Sequence, residues 1–171
     1  MPEDLIEQEG ETKAAQAAMA PLHPDQIKVL RIRAMLIAAP LVVAAFVLDL
    51  GPLRDTPVPA YAVPATVLLL GLAAVLALPA RRYRRWGYGE GEDELAIRRG
   101  MWVRVRTIVP FGRVQHIDVA QGPIERRYGL ATLILHTAGT RGAAVPLPGL
   151  DHGLAEAMRD RIRVKIRQEL M

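Results

Sequence analysis

The 171-residue sequence contains no cysteine, no serine and no asparagine, and only 5% of its residues are aromatic. Without these three residue types there is no disulfide, thiolate metal site, cysteine or serine nucleophile, or N-glycosylation acceptor. The lack of cysteine says nothing about redox compartment. Charge is scarce as well: 23% of residues are charged against 51% hydrophobic, and a mean hydropathy of +0.15 lies at the apolar end of soluble composition. The length admits one compact domain plus something smaller and leaves no room for two enzymatic domains.

What charge there is lies unevenly. The net +4 divides into −4 over residues 1–30, +1 over 31–80 and +7 over 81–171, where 16 of 17 cations are arginine. Arginine is a permanently charged planar fork suited to carboxylate and phosphate, so the basic half suits an anionic partner, and equally a solvated arginine-rich surface.

Residues 34–48 are almost wholly apolar, and residues 56–80 run without a formal charge. Two helices apolar on every face cannot be wrapped by so short a chain, so they are expected to form a membrane hairpin with spans of about 29–50 and 57–80, inside a segment 28–80. Pro57 and Pro59 mark an irregular start to the second span, and Pro40 and Pro64 are expected to kink their helices. Residues 49–55 form the loop. Lys28, Arg31 and Arg33 precede the first span and Arg81, Arg82, Arg84 and Arg85 follow the second, whereas the loop holds Arg54 with two aspartates. That asymmetry places both termini in the cytoplasm of a bacterial inner membrane. Residues 1–27, with six acidic side chains, read as a flexible arm without a signal-peptide core.

Residues 81–171 change to a β pattern. Strands are expected over 94–98, over 102–109 (Val103, Val105, Thr107 and Val109 on one face, Arg104 and Arg106 on the other), and over 114–120, 131–137 and 143–147, the last ended by Pro148-Gly149. The link 122–129 has room for a helical turn. Asp151 suits the N-cap of a closing helix whose apolar stripe is Leu154, Met158, Ile162 and Ile166. The fold class is therefore α+β: a two-helix transmembrane hairpin followed by a curved β-sheet or open barrel capped by a C-terminal helix.

The stretch 95–139 carries a resemblance. The Arg99-Gly100 turn, the run Arg113, Val114, Gln115, His116, Ile117, Asp118, then Gly122-Pro123, Gly129 with Leu130 to Thr132, and Thr137 with Gly139 resemble the bacterial pleckstrin-homology-like domain of YdbS-like, membrane-flanked proteins. The resemblance covers nearly the whole chain after residue 27. It implies a non-catalytic binding or assembly module, a subunit of a small membrane complex whose partner is another membrane protein, such as a larger PH-like relative. Shared fold does not carry shared ligand.

The residues themselves offer few sites. Gly87, Gly89 and Gly91 are spaced as in a phosphate loop, but Glu90, Glu92, Asp93 and Glu94 would repel a phosphate, so the segment reads as a hairpin turn. If strands 114–120 and 131–137 pair around residue 126, positions summing to 252 oppose, which sets His116 across from His136 with Asp118 on the same face. Opposed imidazoles offer two metal ligands, but a hydrogen-bonded strand histidine is the preferred reading, and no metal, cofactor or catalytic residue is expected. The alternative function is recognition of anionic lipid headgroups by Arg81, Arg82, Arg84, Arg85, Arg104, Arg106, Arg126 and Arg127, with Arg113 beside them. Arg127 has a competing role as a partner of Asp118 or Glu125. Too few aromatics stand among the cations for base stacking, so no nucleic acid is expected as a partner.

Overall fold

A computed structural model describes residues 19–54, 56–57, 59–101, 103–138 and 144–169. They fall into two units, Ile27–Tyr83 and a second comprising Arg84–Met171 with the described part of Met1–Gln26.

The first unit is a helical hairpin of α1 (Gln26–Leu50, whose first residue belongs to the other unit) and α2 (Ala62–Tyr83). At about 1.5 Å per residue the two helices rise roughly 37 and 33 Å, enough for a hydrocarbon core of about 30 Å. They approach through small side chains: a Cβ placed on Gly71 would lie 3.6 Å from that of Ala38, and Ala45 and Val75 are buried. Small residues permit such closeness where lipid supplies no hydrophobic drive. The outward faces carry Leu36, Ile37, Leu69 and Leu70 at 64–67% exposure, a surface that water does not tolerate and lipid does. At the loop the Tyr61 amide donates to Asp49 Oδ2 at 3.0 Å, and the Phe46 and Tyr61 rings lie 6.0 Å apart. Pro64 does not kink α2. It falls in the first turn, where an amide hydrogen has no intrahelical acceptor to lose. Pro79, unforeseen, lies inside α2.

The second unit holds two three-stranded antiparallel sheets. One contains β1 (Gly87–Glu90), β2 (Glu94–Arg99) and β3 (Val105–Pro110), in that order. A 3-10 turn (Phe111–Arg113) leads to the other, made of β4 (Val114–Ala120), β5 (Leu130–Thr137) and β6 (Ala144–Asp151), with α3 (Pro123–Arg127) between β4 and β5. The chain closes with α4 (His152–Glu169). Leu95, Ile97, Phe111, Leu133, Leu135, Leu147, Met158 and Ile162 are at most 1% exposed, each worth about 1.5–3 kcal/mol of burial. This core fixes the faces of the strands.

Four expectations are corrected. Gly87 and Gly89 belong to β1, and the turn follows them at 91–93. β3 begins at Val105, later than the expected start at 102, and of the face shared by Val103, Val105, Thr107 and Val109 only Val109 is buried, Val103 being 71% exposed. β6 runs through Pro148-Gly149 to Asp151. An edge strand tolerates proline, and a register shift opposite Ala131 to Leu133 absorbs Gly149 at φ 74°. The buried stripe of α4 is Ala155, Met158 and Ile162, while Leu154 is exposed. Asp151 does cap α4, its Oδ1 accepting from the amides of Gly153 (2.9 Å) and Leu154 (3.3 Å).

Residues 20–26 are held by this unit. Ala20 exchanges backbone hydrogen bonds with Tyr88 at 2.8 and 3.0 Å, and the His23 amide donates to the Gly149 carbonyl at 2.8 Å. Gln26 is 1% exposed, and its Cγ would lie 2.7 Å from a Cβ on Gly149. Glycine is needed there twice over, for its φ and for the space. The acidic residues before Met19 lie outside the described residues.

Candidate functional site

The β2–β3 connection is built on Gly100. With φ at 128° and an added Cβ only 1.7 Å from the Val103 carbonyl oxygen, no other residue fits. The tight turn gathers arginines. Arg98 and Arg99 close β2, Arg104 follows the turn, and Arg84 and Arg85 come from the segment directly after α2; together with Gly100 they line a cleft of about 350 Å³. Gly87, the residue opposite Arg98 in the sheet, leaves room for this guanidinium, whose Nη2 would stand 3.5 Å from a Cβ there. Arg85 Nη1 donates to the Met101 carbonyl at 2.7 Å.

Two features make this cluster chemically incomplete. Arg98 pairs across the sheet with Arg106, a like-charge juxtaposition that is destabilising by itself. Among the described residues no carboxylate pairs with Arg84, Arg98, Arg99 or Arg104. Two arginines of α4 differ. Arg159 Nε donates to Asp160 Oδ1 at 2.9 Å, and that hydrogen bond holds the Asp160 carboxyl below the usual carboxylate range. Arg161 forks onto Glu90, Nε to Oε1 at 3.2 Å and Nη2 to Oε2 at 2.8 Å, which raises the guanidinium pKa still further. A second cleft, of about 570 Å³, runs beside these helical arginines between Gln115, His116 and Ile117 on one side and Arg159, Arg163 and Arg167 on the other.

Of the arginines anticipated as an anion site, the cleft brings together Arg84, Arg85 and Arg104, with Arg106 next to Arg98. Arg81 and Arg82 close the last turn of α2 in the other unit. Arg126 and Arg127 sit exposed on α3, and Arg113 in the 3-10 turn; none of the three lines the cleft. Arg98 and Arg99 were missed. Only the pairing of β1 with β2 sets Arg98 opposite Gly87, and that register has no motif of its own.

The remaining motif residues shape the second sheet. Gly122 and Pro123 open α3, with Glu125 turned inward so that Oε2 accepts the Gly122 amide at 2.8 Å and Oε1 the Thr132 hydroxyl at 3.2 Å. Gly129 takes the left-handed conformation, φ 64°, before β5, and Thr137 closes that strand opposite Val114. His116 and His136 are direct cross-strand partners, as the spacing predicts. Their rings stack with centroids 3.9 Å apart and planes 13° from parallel. Asp118 Oδ2 lies 3.0 Å from His136 Nε2 and 3.9 Å from His116 Nε2.

Comparison with known proteins places these features in a family. The family described as Bacterial PH domain matches residues 29–166, which take in α2 and all but the first three residues of α1. A protein of Bacillus subtilis (strain 168), named UPF0699 transmembrane protein YdbS, is 36% identical over 143 residues, covering 82% of this chain and 88% of that protein. No solved structure matches. The relative's name and the two apolar helices agree on membrane association.

Proposed function

This chain belongs to the bacterial PH domain family, and from that premise we propose that it is a membrane-anchored binding module, not an enzyme, whose arginine cleft takes the phosphate of an anionic lipid headgroup. One observation carries the reading: Arg84, Arg85, Arg98, Arg99 and Arg104 converge on one cleft without a carboxylate. Guanidinium groups so gathered repel one another until an anion joins them, and the planar fork suits phosphate oxygens. Chain continuity favours a lipid source, since Arg84 directly follows Tyr83, the last residue of α2. With both helices crossing the membrane and the Lys/Arg asymmetry setting both termini on the cytoplasmic side, the domain is tethered on the side of the anionic inner leaflet, where each cation near the surface adds about 1 kcal/mol of attraction.

The test uses the full-length protein in a neutral detergent, because residues 20–26 are part of the folded domain. Heats of binding are compared for dihexanoyl phosphatidylglycerol, dihexanoyl phosphatidylcholine and inorganic phosphate. The phosphatidylglycerol should bind and the zwitterionic lipid should not, and the triple variant R98Q/R99Q/R104Q should bind about tenfold more weakly or worse. Equal binding of the two lipids, or a triple variant that binds normally, refutes the reading. Phosphate binding as tightly as phosphatidylglycerol identifies a soluble anion and refutes the lipid assignment.

A second reading, assembly with another membrane protein such as a larger PH-like relative, is supported by the edge strand β3. Val105 and Ile108 are 40% and 43% exposed on a strand whose outer side is unpaired among the described residues, which suits strand addition by a partner. A stoichiometric second membrane protein retained in mild detergent, and lost on Ile108→Lys, is the expected outcome of that arrangement.

A further inference from the structure

We infer that His116, His136 and Asp118 form a binding site for a first-row divalent transition-metal ion on the outer face of the second sheet. The argument begins with the scaffold. His116 and Asp118 are two apart on β4 and so share a face, and His136 is the direct partner of His116 on β5. Three donors are thus fixed by strand register.

The distances suit the chemistry. Donors about 2.0–2.1 Å from a tetrahedral ion stand roughly 3.3 Å from one another. Asp118 Oδ2 lies 3.0 Å from one imidazole Nε2 and 3.9 Å from the other, and the potential donor atoms of the three residues all lie within 4.8 Å of one another. The two rings are nearly parallel, so their lone pairs point side by side, and an ion held by both requires one ring to pivot about its Cβ–Cγ bond. His116, with its side chain 60% exposed, is free to do so. Without an ion the cluster contributes little to stability, because its carboxylate and one of its imidazoles are more than half exposed.

Two imidazole nitrogens and one carboxylate oxygen select Co²⁺, Ni²⁺, Cu²⁺ or Zn²⁺ over the hard ions Mg²⁺ and Ca²⁺. Exposure leaves at least one coordination position to water or an outside ligand, so the ion exchanges readily. Arg159, Arg163 and Arg167 border the cleft that His116 also lines, and they favour an anionic outside ligand over water. A bound ion would also tie β4, an edge strand, to β5.

The composition makes the experiment clean. The chain has no cysteine and four histidines, so tag-free protein offers few competing sites. Full-length protein in neutral detergent is titrated with Co²⁺, read by its visible d–d absorption, and Zn²⁺ is then used to displace it. The expected result is a saturable signal removed by Zn²⁺, weakened about tenfold or more in His116→Ala and His136→Ala, weakened by Asp118→Asn, and unchanged in the H23A/H152A variant. Hydrogen exchange supplies a second readout independent of the variants: Zn²⁺ should slow exchange of amides in β4. Absence of Co²⁺ and Zn²⁺ binding overturns the assignment, as does binding that survives the H116A/H136A double variant or is lost in H23A/H152A. A loss of lipid binding alone bears on the arginine cleft and leaves this site standing.

Discussion

The arginines of the β2–β3 turn and two on α4, Arg159 and Arg161, are drawn from one composition and meet opposite fates. Arg159 and Arg161 have carboxylates at 2.9 and 2.8 Å, whereas Arg98 faces Arg106 across the sheet and shares its cleft with four more guanidinium groups. The difference separates structural from receptive charge. Arg161 joins α4 to β1 through Glu90, and Lys165 adds a second tie by donating to the Gly91 carbonyl at 2.9 Å beside the Phe111 ring. These cations hold the first sheet to the helix that also packs on the second. Of the cleft arginines Arg85 alone makes such a tie among the described residues, to the Met101 carbonyl, and a cluster of one sign without carboxylates has physical sense where an anion completes it.

The contrast breaks most completely at Gly100. Gly100→Ala sets a side chain against the Val103 carbonyl at a φ foreign to alanine, so the turn must reorganise. A loss of about 3 kcal/mol in unfolding free energy is expected, with headgroup binding abolished, as read by chemical denaturation and by the phosphatidylglycerol titration. A variant as stable as the wild type would mean that the turn does not position the arginines. Next in size is Arg161→Gln, which removes the fork onto Glu90. Because that guanidinium is 48% exposed, screening limits the cost to about 1 kcal/mol or less, and lipid binding should stay unchanged. The comparison fails if this variant loses binding as the turn variants do. Smaller again is Arg106→Gln, which relieves the repulsion on Arg98. Its melting temperature should rise slightly while affinity for phosphatidylglycerol falls, a combination that a stability-bearing arginine would not give.

Much of this architecture is legible in the residues. Two long apolar runs predict two long helices, and the β4–β5 register follows from the position of the link between them, so that His116 and His136 oppose as their spacing requires. The Gly100 turn and the Asp151 cap are likewise local chemistry. The arginine cleft is less legible. Its members come from three places in the chain, and what unites them is the pairing of β1 with β2, which the glycine and acidic spacing of residues 87–94 disguises as a bare turn. Pro148-Gly149 misleads for a related reason: a local breaker is overruled by an edge position, a bulge and the seat it provides for Gln26. Alternation over 103–109 says which residues share a face and not whether anything covers it, and of that face only Val109 is buried.

The least effect, and the one most specific to the helix side of the contrast, is alkaline. Tyr88 on β1 lies near the Glu90–Arg161 pair. Burial, and then the charge of Glu90, raises its phenol above the ordinary 10.0, with Arg161 pulling the other way. In the unfolded chain the phenol loses its proton near the ordinary value, while in the folded chain it keeps it to a higher pH. The stability linked to Tyr88 is therefore fully present below pH 10 and is lost as pH rises through the raised folded value. Thermal unfolding followed from pH 8.5 to 11 should fall more steeply for the wild type than for Tyr88→Phe, and Arg161→Gln should steepen it, since removing the cation leaves the phenolate beside Glu90 alone. Parallel curves for all three proteins would place Tyr88 outside the electrostatic field of that pair and would leave α4 anchored to the first sheet by its hydrogen bonds and packing alone.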